Sequence, residues 1–503
     1  MFGGCLYRHF LILFFLLAST FGLAQPHPAP SSPLYPFVRY DLNLIVNNYR
    51  GLRNFYHQID MMREGTSRTV TVVHIGDSHI QADWFPGTLR QSLQEEFGSA
   101  GRGLVFPYQL AHTNGPNDVH AFSNVKWRSR RNVQNQTLLP IGVSGITLQT
   151  TASHFLIKLS VGDNMRGGID YRFNKVTLFT GAGPNMFDVR VSPEYAVPIS
   201  TPAVHIPSSI SGSEVKEVHH LVESGETLEG IARQYKISVR SLKEINHLQG
   251  SLIFAGQKLL VRRSKVLQEP EVTPIPQHLV GNDGMALSLS QPGSSFANTV
   301  YLEGATNTLF LRGSKSQLTQ NQLTLFGMVL ENTQHPGILY HTIGVNGAKF
   351  KSYTGSTHFL EQLQVLQPDL IVVSLGTNES VNQYFSERTF YQHLDDFVHK
   401  IEQYLPHTDI LLTTPPDAFR ARQYSNPNVL KAKETLYNYT LSNDLACWDF
   451  YGIMGGLDSI EKWYQSGLAQ RDKLHLTRAG YELQGHLLFD ALMNGYGSFR
   501  SAK

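Results

Sequence analysis

Apolar residues along this chain follow two rhythms. Val70-Thr71-Val72-Val73-His74-Ile75 is a nearly unbroken run of β-branched side chains. It is too short for an ordinary helix and predicts a strand buried on both faces. The next residues place Leu89, Leu93 and Phe97 on one helical face, with Asp83 positioned as an N-cap. Leu370-Ile371-Val372-Val373-Ser374-Leu375 repeats the strand pattern, and Phe390, Leu394, Phe397, Val398 and Ile401 repeat the helical one. The short run Ile410-Leu411-Leu412 and a last helix beginning at Thr477 follow. Strands alternating with helices predict a parallel sheet covered on both faces.

Between these two parts the period changes to two. Residues 146–192 contain Phe155-Leu156-Ile157-Lys158-Leu159 and Val176-Thr177-Leu178-Phe179. Residues 285–345 contain Thr299-Val300-Tyr301-Leu302, Thr308-Leu309-Phe310-Leu311 and Leu323-Thr324-Leu325-Phe326. Short alternating strands separated by turn residues predict an antiparallel sandwich inserted into the α/β domain. Proline-containing stretches at 193–212 and 264–277 bracket a further segment. Its apolar positions 228, 231, 232 and 235 predict a helix capped by Thr227, and Leu242 with Ile245 predicts a second. Short strands at 220–222 and 259–261 complete a βααβ unit.

The first residues read as a secretory signal. Arg8 precedes the apolar run Phe10–Leu17, and Gly22 and Ala24 stand before a cut ahead of Gln25. The run falls short of the ~20 apolar residues of a spanning helix, and no later segment is long and apolar enough. A Pro/Ser-rich leader, 25–36, follows. Of two cysteines, Cys5 leaves with the signal and Cys447 remains without an internal partner, which excludes a disulfide scaffold. The 503 residues carry a net charge of +2 with 16% charged side chains, which argues against a charge-driven nucleic-acid binder. Expected boundaries are 1–24 signal, 25–110 and 336–503 α/β domain, 111–216 and 264–335 β-sandwich, and 217–263 βααβ module.

Three polar motifs adjoin the α/β elements. Gly76-Asp77-Ser78-His79 follows the first strand, where open α/β sheets place ligands. Leu375-Gly376-Thr377-Asn378-Glu379 follows another, and an Asn amide there can donate to a developing oxyanion. Asp472-Lys473-Leu474-His475-Leu476-Thr477 precedes the last helix; His475 suits proton abstraction from a serine, with Asp472 holding its tautomer. Singly, each also reads as a turn: Ser78 as an N-cap, Asn378 as a left-handed turn residue, Thr477 as a cap. Together they supply a nucleophile, an oxyanion donor and an acid/base. No HExxH or GxxxxGK[ST] motif occurs. His219-His220 has no Cys/His partner at ligand spacing, so neither metal nor cofactor is expected. His74 reads as a satisfied core histidine, and Arg128-Ser129-Arg130-Arg131 as a solvated loop.

In order and content these motifs resemble those of the SGNH, or GDSL-type, hydrolases, over about residues 40–110 and 335–500. The resemblance implies a flavodoxin-like parallel sheet and a serine esterase. Ser78, His475 and Asp472 would form the triad, with an oxyanion hole of the Ser78 and Gly347 backbones and the Asn378 amide. Two glycines fit the second block, in Ile141-Gly142-Val143-Ser144-Gly145 and in Ile343-Gly344-Val345-Asn346-Gly347-Ala348. Gly347 is preferred because one helix-sized connection separates it from the Asn378 strand. Glu379 stands where the family usually has Asp.

The segment 219–262, with Gly225-Glu226-Thr227-Leu228, Ile231-Ala232, Ile245-Asn246 and Gly256-Gln257-Lys258-Leu259, resembles a LysM domain. That family binds N-acetylglucosamine-containing glycans. The resemblance assigns a glycan groove to Ser224, Gly225, Glu226, Thr227 and Asn246. An SGNH domain with an inserted β-domain is similar to bacterial peptidoglycan O-acetylesterases. The implied protein is an exported esterase of the periplasm or cell surface that removes O-acetyl groups from peptidoglycan. It has no nucleic-acid partner and no membrane span after signal cleavage. An acetyltransferase, a deacetylase of another polysaccharide, and a non-catalytic wall-binding protein stay open.

Overall fold

The computed structural model describes residues 35–65, 69–134, 139–162, 168–193, 214–223, 226–235, 239–246, 248, 253–254, 256–266, 285–289 and 296–502. The signal segment, most of both proline-containing stretches, Ser224 and Gly225 lie outside the described residues. The chain divides into two compact units, residues 1–194 with 284–503, and residues 195–283.

In the first unit the predicted parallel sheet forms. Its spatial order is Ile338–Gly344, Val70–Gly76, Leu370–Ser374, Asp409–Thr413 and Ala446–Trp448, with Ile45–Val46 antiparallel on the last edge. The strand that comes first in this set lies second, which is the flavodoxin-like order with its switch point beside that strand. Alternate side chains of each strand enter different cores. Val70, Val72, Leu370, Val372 and Leu411 pack with the helices Trp84–Phe97 and Arg478–Ser501. Val73, Ile75, Ile371, Val373 and Leu412 pack on the other face with Phe350, Phe390, Leu394 and Phe397. Burial on both faces is why these strands read as unbroken apolar runs. His74 lies between Tyr340 OH and Ser374 Oγ, each 2.8 Å from a ring nitrogen, as expected of a satisfied core histidine. Burial draws its pKa down to about 3, so it stays neutral. Cys447 is buried and unpaired, its thiol pushed up to about 12 by burial.

Two antiparallel sheets complete this unit. One runs Met285–Leu287, Asp188–Pro193, Thr308–Ser314, Leu156–Val161, Val119–Ser123. The other runs Ala297–Thr306, Phe173–Thr180, Leu323–Glu331, Ile146–Thr150, Arg128–Arg131, with Gly103–Val105 added beside Leu323–Glu331. Ile157, Leu159 and Val161 are buried while Leu156, Lys158 and Ser160 between them are only half-buried. Inward residues of both sheets join one core with the Phe350 side of the parallel sheet. The Arg128–Arg131 run is a paired edge strand rather than a loop, because Ile146–Thr150 supplies its backbone partners.

Asp83 does not cap its helix. Its φ of +62° is left-handed and its carboxylate makes no cap hydrogen bond. The carboxylate is buried and accepts from Arg90 (Nη1 at 3.1 Å, Nη2 at 2.8 Å), Arg102 Nη2 (2.7 Å) and Thr342 Oγ1 (2.8 Å). Arg102 continues to Asp118, with Nη2 2.9 Å from Oδ1. Both guanidinium groups lie 5.6 Å from the Tyr171 ring. A buried carboxylate facing two cations is better spent there than on one backbone N–H.

The second unit is the predicted βααβ arrangement: Glu214–Leu221 antiparallel to Lys258–Val266, with helices Leu228–Gln234 and Val239–Ile245. Both strands run longer than their apolar pattern. Val222, Leu228, Ile231, Ala232, Leu242, Leu259 and Val261 form its core. Thr227 caps the first helix as expected, its Oγ1 accepting the Gly230 N–H at 3.2 Å.

Removing one partner of a buried ion network leaves uncompensated charge, at a cost of about 3–5 kcal/mol. Against a typical total of about 5–15 kcal/mol, Asp83→Ala is expected to lower the urea midpoint sharply. A loss below about 1 kcal/mol would show the network to be dispensable.

Candidate active site

The strand Val70–Gly76 ends where only glycine fits. A Cβ at Gly76 would stand 2.2 Å from Ile80 Cγ1 and 2.8 Å from Ser374 O. The chain then turns into the short helix Ser78–Gln81, whose N-cap is Asp77, its Oδ1 accepting the His79 N–H at 3.0 Å. Because Asp77 takes the cap, the Ser78 hydroxyl is free for another partner. That partner is His475 Nε2, 2.9 Å away across 397 positions of sequence.

His475 is held from its other side. Its Nδ1 lies 2.8 Å from Asp472 Oδ2, while Asp472 Oδ1 accepts the backbone N–H of His475 (3.0 Å) and Leu474 (3.1 Å). Burial pushes the Asp472 carboxyl up, but these donors outweigh it and hold the group below the usual carboxylate range. An ionised Asp472 fixes the proton on Nδ1 and leaves Nε2 bare to accept from Ser78. The turn depends on Lys473, whose φ of +50° is left-handed. Its ammonium sits 2.5 Å from Glu461 and over the rings of Phe419 and Tyr464, and its carbonyl accepts the Phe419 N–H at 2.8 Å. Thr477 then caps the last helix through Gly480 N–H at 3.3 Å.

Asn378 stands at the start of the helix Thr377–Ser380, directly after Leu370–Ser374. Its Nδ2 donates to Asp77 Oδ2 (2.9 Å) and Ala348 O (3.0 Å), bridging the serine turn and the loop after Ile338–Gly344. In that loop Gly347 is exposed with φ +85°, and an added Cβ would meet nothing within 4 Å. Among the described residues, neither the Gly347 nor the Ser78 backbone N–H has an acceptor. Gly145 differs: it is buried, its N–H is given to Gly142 O at 2.9 Å, and a Cβ would stand 2.7 Å from Val345 Cγ2. The serine, the histidine–aspartate pair, Asn378 and Gly347 therefore gather at one end of the parallel sheet.

Several neighbours carry no sequence signal, because burial and distant partners are invisible in a local pattern. Asp77 is buried and its pKa is pushed up by burial to about 7, against the pull of the His79 N–H and Asn378. Glu379 is also buried and pushed to about 7, first by burial and further by Asp77. Glu379 Oε1 accepts the Phe350 N–H at 2.9 Å, while Oε2 has no partner among the described residues. His79 meets Tyr481 OH at 2.8 Å, and its ring centre is 5.2 Å from that of His475. Burial, with His475 adding to it, draws His79 down to about 3 and keeps it neutral.

In the βααβ unit most of the sequence-assigned groove residues that are described hold up the fold itself. Asn246 donates to Leu242 O (2.8 Å) and Leu260 O (2.7 Å) and accepts from Leu260 N–H (2.7 Å), so its amide is fully spent between helix and strand. Glu226 Oε2 accepts from Glu223 N–H (2.8 Å) and His220 Nε2 (2.7 Å), and these two hold its carboxyl below the usual range. His220 is thereby committed to Glu226 and, at 3.1 Å, Tyr235. Among the described residues no group of three or more His, Cys, Asp or Glu is arranged to hold a metal. No described helix is long and apolar enough to cross a membrane.

Residues 304–483 match the GDSL-like Lipase/Acylhydrolase family, and residues 220–262 match the LysM domain. Over those two segments the chain carries a GDSL-like domain and a LysM domain. The first match begins beyond Ser78, so the fold alone brings that serine to it. An autolysin of Enterococcus faecalis is 47% identical over 45 residues, 9% of this chain and 6% of that protein. The N-acetylmuramoyl-L-alanine amidase sle1 of Staphylococcus epidermidis is 28% identical over 100 residues, 20% of this chain and 31% of that one. The chain thus spans less than a third of these curated relatives. A solved peptidoglycan O-acetylesterase is 17% identical with a TM-score of 0.59, covering 89% of this chain and 96% of its own. That likeness is one of fold.

Glu379 binds its proton more tightly folded than unfolded. The stability this adds is complete below its ordinary pKa of 4.5 and disappears as pH rises through about 7. Glu379→Gln is therefore expected to leave the urea midpoint unchanged near pH 4 and to raise it near pH 8. Identical pH profiles for the two proteins would refute the buried acid.

Proposed function

We propose that the chain is an exported carbohydrate esterase that removes O-acetyl groups from peptidoglycan through an acyl-serine intermediate. The observation that carries this is the unbroken relay from Ser78 Oγ to His475 Nε2 at 2.9 Å and from His475 Nδ1 to Asp472 at 2.8 Å. Ser78 Oγ attacks the acetyl carbon while its proton passes to His475 Nε2. The oxyanion that forms takes hydrogen bonds from the free backbone N–H of Ser78 and Gly347, and from Asn378 Nδ2 once that amide exchanges one of its two present acceptors, Asp77 Oδ2 or Ala348 O, for the substrate oxygen. Collapse breaks the bond to the sugar oxygen, which leaves with the proton from His475. Water, deprotonated by the same imidazole, then releases acetate and restores Ser78. Asp472 stays ionised and stabilises the imidazolium.

The glycan reading is supported by the LysM domain. It is expected to bind peptidoglycan or another N-acetylglucosamine-containing glycan through Ser224, Gly225, Glu226 and Thr227, while Asn246 ties the second helix to the strand Lys258–Val266. A single weak module raises the local substrate concentration for the tethered esterase rather than supplying chemistry. The proposed organisation keeps the boundaries read from sequence. Residues 1–24 are a cleaved signal, and 111–216 with 264–335 form a β-sandwich inserted between the two parts of the hydrolase domain, 25–110 and 336–503. A location at the cell wall, in the periplasm or on the surface, follows from that signal and that glycan.

The test is acetate release from O-acetylated peptidoglycan, with de-O-acetylated polymer as control. Wild type is expected to release acetate, whereas Ser78→Ala and His475→Ala abolish release in folded protein. Asn378→Ala, removing one oxyanion donor, costs on the order of 10²–10³ in kcat. No acetate from wild type, or near-normal turnover by Ser78→Ala, would end the assignment; acetyl groups recovered on an added glycan would make it a transferase. Deleting residues 217–263 is expected to weaken retention on insoluble peptidoglycan while 4-nitrophenyl acetate is still hydrolysed. Equal retention would exclude the module as the anchor.

A further inference from the structure

Gln81 ends the helix that begins with the nucleophile, and it is completely buried. Its two Nε2 hydrogens are shared among Thr113 Oγ1 (2.9 Å), Asn114 O (2.7 Å) and Asn114 Oδ1 (3.1 Å). Its Oε1 accepts the Asn346 N–H at 2.6 Å. Asn346 Nδ2 in turn reaches Asn114 Oδ1 at 2.7 Å. One side chain three residues from Ser78 therefore ties two loops together: the loop holding Gly347 and the segment 112–117 leading into the antiparallel sheets.

Asn114 is exposed, yet its amide is not free to turn. Oδ1 accepts from two donors, which fixes the opposite face as the NH₂. Among the described residues that NH₂ has no acceptor. The backbone behind it is equally constrained. Asp118 is gripped by Arg102, Gln109 Nε2 donates to Val119 O at 2.9 Å, and Gly115 lies so close to Tyr108 that a Cβ would stand 2.5 Å from its ring. A surface asparagine ordinarily loses side-chain freedom on binding, but here the amide is already oriented, so a ligand gains its hydrogen bond at little entropic cost. The residue that supports it, Asn346, immediately precedes Gly347 with its open face.

We propose that Asn114 determines substrate specificity, its Nδ2 donating to an acceptor oxygen of the sugar ring that carries the ester. That oxygen is a ring hydroxyl or the carbonyl of an N-acyl group, both of which lie close to an acetyl ester whose carbonyl points at Gly347. The inference rests on the carbohydrate-esterase reading and adds a contact to the sugar rather than to the acyl group.

Asn114→Asp is the informative variant, because it keeps Oδ1 for Gln81 and Asn346 while replacing the donors with a carboxylate oxygen; Asn114→Ala, which adds no charge, is its control. Its kcat/KM is compared with wild type on O-acetylated peptidoglycan, on acetylated xylooligosaccharide, which has no N-acyl group, and on 4-nitrophenyl acetate. The expected result is at least a tenfold fall in the ratio of sugar-ester to 4-nitrophenyl acetate kcat/KM, expressed in KM, and the same fall in Asn114→Ala. A fall confined to peptidoglycan assigns the N-acyl carbonyl, and a fall on both sugar esters assigns a hydroxyl. Equal losses on all three esters would mean that Asn114 only supports the Gly347 loop, and no change would mean that it faces nothing; either overturns the inference. Wild type that hydrolyses 4-nitrophenyl acetate but neither sugar ester would overturn the carbohydrate reading first.

Discussion

The strand Val70–Gly76 is paired on both sides by strands from the far end of the chain, and the site depends on that pairing. Gly76 lies level with Gly344 on one side and Ser374 on the other. The three loops that leave these positions carry Ser78, Gly347 and Asn378. Parallel register therefore also sets the proposed site: a shift of one residue would turn every side chain to the other face and separate the loops. The long intervening chain costs less than its length suggests, since closure entropy grows only with the logarithm of loop size. Burial of the strands on both faces opposes it.

Around this frame, buried polar groups are handled in two ways. Asp83 is met by two arginines and a threonine hydroxyl, and Arg102 carries the network on to Asp118 at the root of the segment holding Asn114. Among the described residues neither Asp77 nor Glu379 forms an ion pair, and burial raises both to about 7. The same burial keeps His79 neutral beside His475. An extra imidazolium there would oppose the positive charge that His475 gains in the proposed attack. A neutral ring does not.

Much of this was legible in local pattern. The unbroken runs at 70–75 and 370–375, the helical spacing from Phe390 to Ile401, and the βααβ rhythm with its Thr227 cap all survive in three dimensions, because period and capping are local properties. Asp83 was not legible. Its place before a helix argued for a cap, whereas Arg90 on that helix together with Arg102 and Thr342 from other elements makes it a buried counter-ion. Asn246 is similar, since the Leu260 backbone that consumes its amide lies across the module. The Arg128–Arg131 run became a strand because Ile146–Thr150 offered it an edge.

By itself, then, the sequence determined which residue types stand at the ends of which elements: a serine after a glycine turn, an asparagine after a second buried strand, and an aspartate three residues before a histidine. Only the tertiary structure decided that Ser78 meets His475 across 397 positions. It also left the Gly347 N–H free while that of Gly145 is spent, and bound Gln81 to Asn114 and Asn346. The reason is physical. Local pattern reflects torsional preference and the period of burial, whereas hydrogen-bond partners and desolvation depend on which distant segments the sheet brings alongside.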